Sequence, residues 1–153
     1  MNQQKSIRMT PEEARAFVES HNKCALVSLG ADGYPHIVAM NYVTDNGDIL
    51  MTSYGRAQKV LNFKRNPRAA IMIDTGRKYK EIKGVMLRGQ VEVVEGPDAV
   101  AQVISMVTGG QQATGNAGVP TEAVKRRAAK RAVIRFHPER VSSWDHSKII
   151  GDY

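Results

Sequence analysis

Apolar residues in this chain recur with two periods, and the switches between those periods mark the elements. Thr10-Pro11-Glu12-Glu13 has the form of a capping box with proline at the first helical position. Ala14, Phe17 and Val18 follow at three- and four-residue spacing, which predicts a helix over residues 11–21. Two β-rich runs come next, at 23–29 and 36–44, and a third at 48–54. The breaks between them contain Asp32-Gly33 and Asn46-Gly47, residues that tolerate positive φ, so the three runs read as an antiparallel meander of hairpins. A short helix is predicted over 56–65, with Ala57, Val60 and Leu61 on one face. Asn66-Pro67 stops it, because the residue before proline avoids the α region.

In the second half, residues 69–74 form a fourth run and Thr75-Gly76 a turn. Residues 79–94 then read as a long strand or bulged pair, with Gly84 or Gly89 as the bulge. A helix over 99–107, a Gly-rich connector over 109–120 and a basic helix over 121–131 follow. The basic helix carries Lys125, Arg126, Arg127, Lys130 and Arg131. The final strand covers 132–136 and 140–144, interrupted at His137-Pro138. Six antiparallel strands with only short helices between them give a mainly β fold, a closed or split barrel with a few peripheral helices, since closure removes exposed sheet edges. Strands that do not alternate with crossover helices argue against a doubly wound parallel sheet. Residues 1–153 read as one domain with its core at 11–145.

Charge narrows the choice of partner. The 153 residues carry a net charge of +7, which favours acidic ligands. No recognition helix, zinc finger or set of stacking aromatics is found, so nucleic acid is not the expected partner and the basic surface is assigned to a small anionic ligand. No apolar run approaches the roughly 20 residues that cross a bilayer, and the start MNQQKSIRMTPEE lacks the apolar centre of a signal peptide. With Cys24 as the one cysteine, these features predict a cytoplasmic protein without membrane insertion. The histidines at 21, 36, 137 and 146 have no metal-ligand spacing, and no metal is expected. No G-x-S-x-G elbow, Walker loop or G-x-G-x-x-G segment occurs.

The stretch TSYGRAQKVLNFKRNPRA, residues 52–69, carries the most specific chemistry. A strand ends in hydroxyls and a helix opens beside Arg56 and Lys59. Unpaired N–H groups at a helix start, the positive end of the helix dipole and two cations together suit a phosphate.

The segments ALVSLGADGYPHIVAMNYV, ILMTSYGRAQKVLNFKRNPRAAIMI, VMLRGQVEVVE and RFHPERVSSWD, in this order, resemble the pyridoxamine 5′-phosphate oxidase-like superfamily of split β-barrels. Within it the chain is most similar to the flavin- and deazaflavin (coenzyme F420)-dependent oxidoreductases. The motif S-x-G-R-x-x-K-x-x-N-x-x-x-x-P from Ser53 to Pro67 carries most of the likeness, and D-G-x-P from Asp32 to Pro35 supports it. The resemblance implies a homodimer with cofactors in grooves between the barrels. It assigns the cofactor phosphate to Ser53, Arg56 and Lys59, and the tricyclic ring to the strand holding Val38, Ala39, Met40 and Asn41. It also points to Trp144, His146 and Lys148 as lining a substrate or partner-subunit pocket.

The implied activity is hydride transfer from reduced coenzyme F420 to an electron-poor small-molecule acceptor. FMN as the cofactor, or a non-enzymatic flavin- or haem-binding module, are the alternatives. F420 differs from FMN in carrying an oligoglutamate chain beyond its phosphate, so it needs a basic track. Lys64, Arg65 and Arg68, continued by Arg77, Lys78, Lys80 and Lys83, are the candidates for that track. Pyridoxamine-phosphate oxidation itself is not expected, because the Arg-x-Trp substrate segment of true oxidases is not found before Tyr153.

Overall fold

The computed structural model of the protein describes residues 6–109 and 121–151. Helix α1 (Pro11–Glu19) starts at the predicted capping box: Glu13 N donates to Thr10 Oγ1 at 3.2 Å and Thr10 N to Glu13 Oε2 at 2.8 Å. Strands β1 (Lys23–Leu29), β2 (Pro35–Asn41), β3 (Val43–Asp45) and β4 (Asp48–Tyr54) lead to helix α2 (Gln58–Arg65). Strand β5 (Arg68–Thr75) is followed by a 3₁₀ turn (Tyr79–Glu81) and strand β6 (Lys83–Glu95). Helices α3 (Pro97–Gly109) and α4 (Glu122–Ala128) precede strand β7 (Arg131–Asp145) and a last 3₁₀ turn (His146–Lys148). From Gly110 to Pro120 the Gly-rich connector lies outside the described residues.

All seven strands form one antiparallel sheet in the order β2-β1-β5-β6-β7-β4-β3. The predicted count of six becomes seven because the run at 36–44 divides at Tyr42. Its first part pairs with β1 and its second with β4. Strands β2 and β3 therefore stand at opposite ends of the row yet are separated by Tyr42 alone, which obliges the sheet to curl until its ends meet. Tyr42 is 1% exposed; its N–H donates to the Asn22 carbonyl at 2.9 Å and its hydroxyl to the Val18 carbonyl at 2.6 Å, tying the corner to α1.

The barrel interior is built from alternate residues: Leu26 of β1, Ile49 and Met51 of β4, Ile71 and Ile73 of β5, Val85 and Leu87 of β6, Ile134 and Phe136 of β7. A second cluster, with Val100, Val103 and Ile104 of α3 and Ala128 of α4, covers the outside of β4 and β7 through Leu50 and Val133. Strand β4 is thus buried on both faces, the reason its sequence reads as a nearly unbroken apolar run. Among the described residues the outer face of β2, β1 and β5 has no such cover. Ile37 and Met72 stand there at 64% and 41% exposure, and Val27, Ala25, Ala70 and Ala39 adjoin them in register.

The two glycines named as bulge candidates do different work. The register breaks between Arg88 and Gly89, opposite the extra residue Glu139 of β7, and a Cβ on Gly89 would lie 2.0 Å from the His137 carbonyl oxygen. The predicted interruption at His137-Pro138 is this bulge, and β7 continues through it. Gly84 instead seats an indole: a Cβ there would lie 2.2 Å from Trp144 Cζ2.

Two substitutions check this account. Tyr42→Phe removes the hydroxyl bond to the Val18 carbonyl, leaving it the longer bond from His21 N at 3.4 Å, and is expected to lower stability by about 1 kcal/mol in urea unfolding; an unchanged midpoint would contradict the corner's role. Gly84→Ala is expected to lower stability by roughly 1–3 kcal/mol and to shift the emission of Trp144, the chain's one tryptophan. An unaltered emission spectrum would mean the indole is not seated there.

Candidate functional site

The ladder between β3 and β4 runs from Asp45↔Asp48 to Val43↔Leu50 and stops. Beyond it, among the described residues, 51–54 of β4 have β7 on one side and no strand on the other, and β2 has β1 on one side only. Both unpaired edges leave the same corner at Tyr42, so the strand ladder is open between them among the described residues. An opening edged by free backbone donors and acceptors can hold a flat polar ligand as a strand would be held.

Segment 53–59 forms one wall of the opening. Ser53 is 5% exposed, and Lys59, the second residue of α2, donates to its Oγ at 3.0 Å. Gly55 N donates to the Lys130 carbonyl at 3.0 Å, which pins the strand-to-helix turn against the start of β7. Next to Lys130, Arg131 pairs with Tyr54 across β4 and β7, lays its guanidinium 4.8 Å from the centre of the Tyr54 ring, and donates to the Thr52 carbonyl at 3.2 Å. Its Nε is buried without a hydrogen-bond partner among the described residues. Burial first, and the Arg131 charge second, lower the Lys59 pKa below the ordinary lysine value. Neither cation has a carboxylate partner among the described residues. Two adjacent cations, one orphaned guanidinium N–H and a buried hydroxyl fit a phosphate at this turn.

Asn62, the motif's asparagine, lies in the interior. It donates to Ser28 Oγ at 2.9 Å and accepts from Gln58 at 2.8 Å and Arg65 at 3.2 Å. These bonds dock α2 on β1 and so set the position of Lys59. His36, across the ladder from Ser28, has a buried Nδ1 without a partner among the described residues.

The other residues singled out in the sequence are distributed more widely. Val38 and Met40 pack on the barrel core, while Ala39 and Asn41 point outward beside the free edge of β2. Arg56 is exposed at the turn. Lys64 pairs with Glu95. Trp144 lines a groove of about 800 Å³ beneath α1, walled also by Val85, Leu87, Val141, Met9 and Ala14. His146 Nδ1 donates to the Tyr79 carbonyl at 3.0 Å, and its ring meets that of Tyr79 edge-on. Lys148 donates to the Arg8 carbonyl at 3.0 Å and pairs with Glu13 at the start of α1. His146 and Lys148 thus fasten the segment after β7 to Tyr79 and to Arg8, and the groove is lined by Trp144 but not by them. Arg131 was legible only as one charge of a basic helix; 78 residues beyond Ser53, it reaches the site through strand pairing.

No helix among the described residues is long and apolar enough to cross a membrane. Among the described residues no group of three or more His, Cys, Asp or Glu is arranged to hold a metal ion.

A seven-stranded antiparallel barrel, open at one corner beside a strand-to-helix cation cluster, defines a split-barrel protein. Residues 10–145 match the profile of the pyridoxamine 5′-phosphate oxidase family. The chain belongs to this family, whose superfamily comprises flavin-binding, oxidoreductase-like proteins. A conserved hypothetical protein from Mycobacterium tuberculosis shares 31% identity over 94% of this chain and 89% of its own, with a TM-score of 0.83. A protein described as an F420 reductase shares 25% identity, with 87% of this chain and 98% of that one covered and a TM-score of 0.65. The haem storage protein of Vibrio cholerae shares the fold at 17% identity and a TM-score of 0.65, over 86% and 92% of the two chains. No curated protein matches the sequence.

Two outcomes test the cation cluster. Lys59→Ala is expected to weaken binding of a phosphate-bearing flavin by about 1–3 kcal/mol, the range for a charge-assisted hydrogen bond, and unchanged affinity would remove Lys59 from the site. Because its pKa is lowered, Lys59 loses its proton below pH 10.5. Affinity is therefore expected to fall as pH rises through that lowered value, and the same fall in Lys59→Met would contradict the assignment.

Proposed function

We propose that the protein is an oxidoreductase that uses reduced coenzyme F420 to reduce an electron-poor small molecule. The observation that carries this reading is the uncompensated pair Lys59 and Arg131 around Ser53, at the mouth of the opening beside β2. Family membership supports a flavin-type cofactor, and the relative described as an F420 reductase favours the deazaflavin over FMN.

The chain's own groups supply position and electrostatics. Ser53, Lys59 and Arg131 hold the phosphate, with Arg56 adding charge from the turn. The free edge of β2 offers backbone N–H and C=O groups to the polar rim of the ring, and Ala39 leaves room for its face. The chemistry that a deazaflavin held there would supply is hydride transfer to a C=C, C=N or quinone-like acceptor. The groove beneath α1, with Trp144 in its wall, would give such an acceptor an aromatic surface to pack on.

No residue that lines this groove belongs to the cation cluster, so one chain alone does not bring the two together. A homodimer joins them, with the bare face of Ile37, Val27, Ala70 and Met72 covered and one protomer's groove completing its partner's cofactor site. Apolar side chains exposed in register over three strands are what such an interface would bury.

Titration of the purified protein with FMN and coenzyme F420 in parallel, at two salt concentrations, tests the reading. Tighter, salt-sensitive binding of F420, followed by oxidation of its reduced form in the presence of quinone or nitroaromatic acceptors, is the expected result. Preference for FMN would move the protein to the flavin-dependent members of its family, and binding of neither would overturn the reading.

A further inference from the structure

The basic track that the sequence suggested for an anionic tail is interrupted in the fold. Lys64 is neutralised by Glu95, Lys83 by Asp145, and Arg65 is committed to the Leu29 carbonyl and Asn62. Arg68 opens β5 and Arg77 follows its end, so the two halves of that track stand apart by the length of an eight-residue strand, roughly 23 Å.

Another set of cations begins at the site itself. The bond from Gly55 N to the Lys130 carbonyl joins the phosphate turn to the junction of α4 and β7. Val124 and Ala128 turn the apolar side of α4 to the second core cluster. Arg126, Arg127 and Lys130 are exposed and have no carboxylate partner among the described residues, whereas Lys125 is paired with Glu122. Helix α4 runs toward the site, so these charges extend from it in one direction: Arg131 inside, Lys130 at the turn, Arg127 and Arg126 beyond.

We propose that the anion site continues from Ser53, Lys59 and Arg131 along the α4–β7 junction, where Lys130, Arg127 and Arg126 take an extended polycarboxylate tail attached to the cofactor phosphate. This rests on the cofactor reading above and locates the tail on α4, away from α2 and β5. Exposed pairs are individually weak and strongly screened, so the track acts through several charges at once and at low salt.

The test uses the full chain and three probes: coenzyme F420 with its oligoglutamate chain, the same deazaflavin cut back to its phosphate group, and FMN. The intact protein is expected to prefer the tailed deazaflavin over the shortened one at low salt, on the order of tenfold. Arg126→Gln/Arg127→Gln/Lys130→Gln is expected to lose that preference while binding the shortened form as before, and Lys64→Gln/Arg68→Gln to keep it. Retention of the preference in the triple variant, equal loss for both deazaflavins, or its loss in the α2–β5 double variant would overturn the proposal. Binding of FMN without either deazaflavin would overturn it and leave the phosphate site standing. Binding of none of the three would remove the phosphate site as well.

Discussion

Between Asn41 and Val43 the chain has one residue in which to pass from one end of a seven-stranded sheet to the other. Six strand spacings of about 4.8 Å would set the ends of a flat sheet roughly 29 Å apart, whereas two Cα steps reach no more than about 7.6 Å. The sheet can satisfy both only by rolling up. Tyr42 fixes the corner with two hydrogen bonds and complete burial, and α1 is fastened to it through the Val18 carbonyl. The same constraint creates the opening: the strand that turns the corner can pair fully with β1 or with β4 but not with both, so β2 and the second half of β4 each keep a free edge.

Charge is distributed according to the same division between scaffold and site. Several cations elsewhere on the barrel are matched. Arg135 bridges Asp45 and Asp48 across the β3–β4 hairpin, Lys83 meets Asp145, and Lys148 meets Glu13. Asp145 shows the balance, since burial would raise its carboxyl pKa but bonds from Ser147 and Lys83 outweigh that and hold it below its ordinary value. At the turn around Ser53 and Lys59 no carboxylate among the described residues plays this part. Lys59 and Arg131 face each other's charge, and burial removes some of the water that would screen them. Such an arrangement costs stability in the protein, and perturbed groups in a cleft of this kind are candidates for a binding site.

Local features were legible in the sequence and long-range ones were not. The capping box at Thr10, the hairpins at Asp32-Gly33 and Asn46-Gly47, and the end of α2 before Pro67 depend on a few neighbouring residues and match the structure. The S-x-G-R-x-x-K motif singled out Ser53 and Lys59, which sit on one strand-to-helix turn and are in contact. Arg131 could not be found that way, since its place beside Tyr54 follows from β4–β7 register. The break of the β run at Tyr42 was hidden because β2 and β3 continue the same extended pattern. Trp144 on Gly84 is likewise a cross-strand contact, and the charges once grouped as a single track are parted by β5, whose length is visible but whose direction is not.

The most direct measurement is a crystal structure of the protein with bound FMN or coenzyme F420, which locates the phosphate. The account requires the phosphate oxygens to lie within hydrogen-bond reach of Ser53 Oγ, Lys59 Nζ and the Arg131 guanidinium, with the ring at the free edge of β2. A phosphate bound in the groove beneath α1, or held by Lys64 and Arg68 with Lys59 still turned to Ser53 alone, would contradict it.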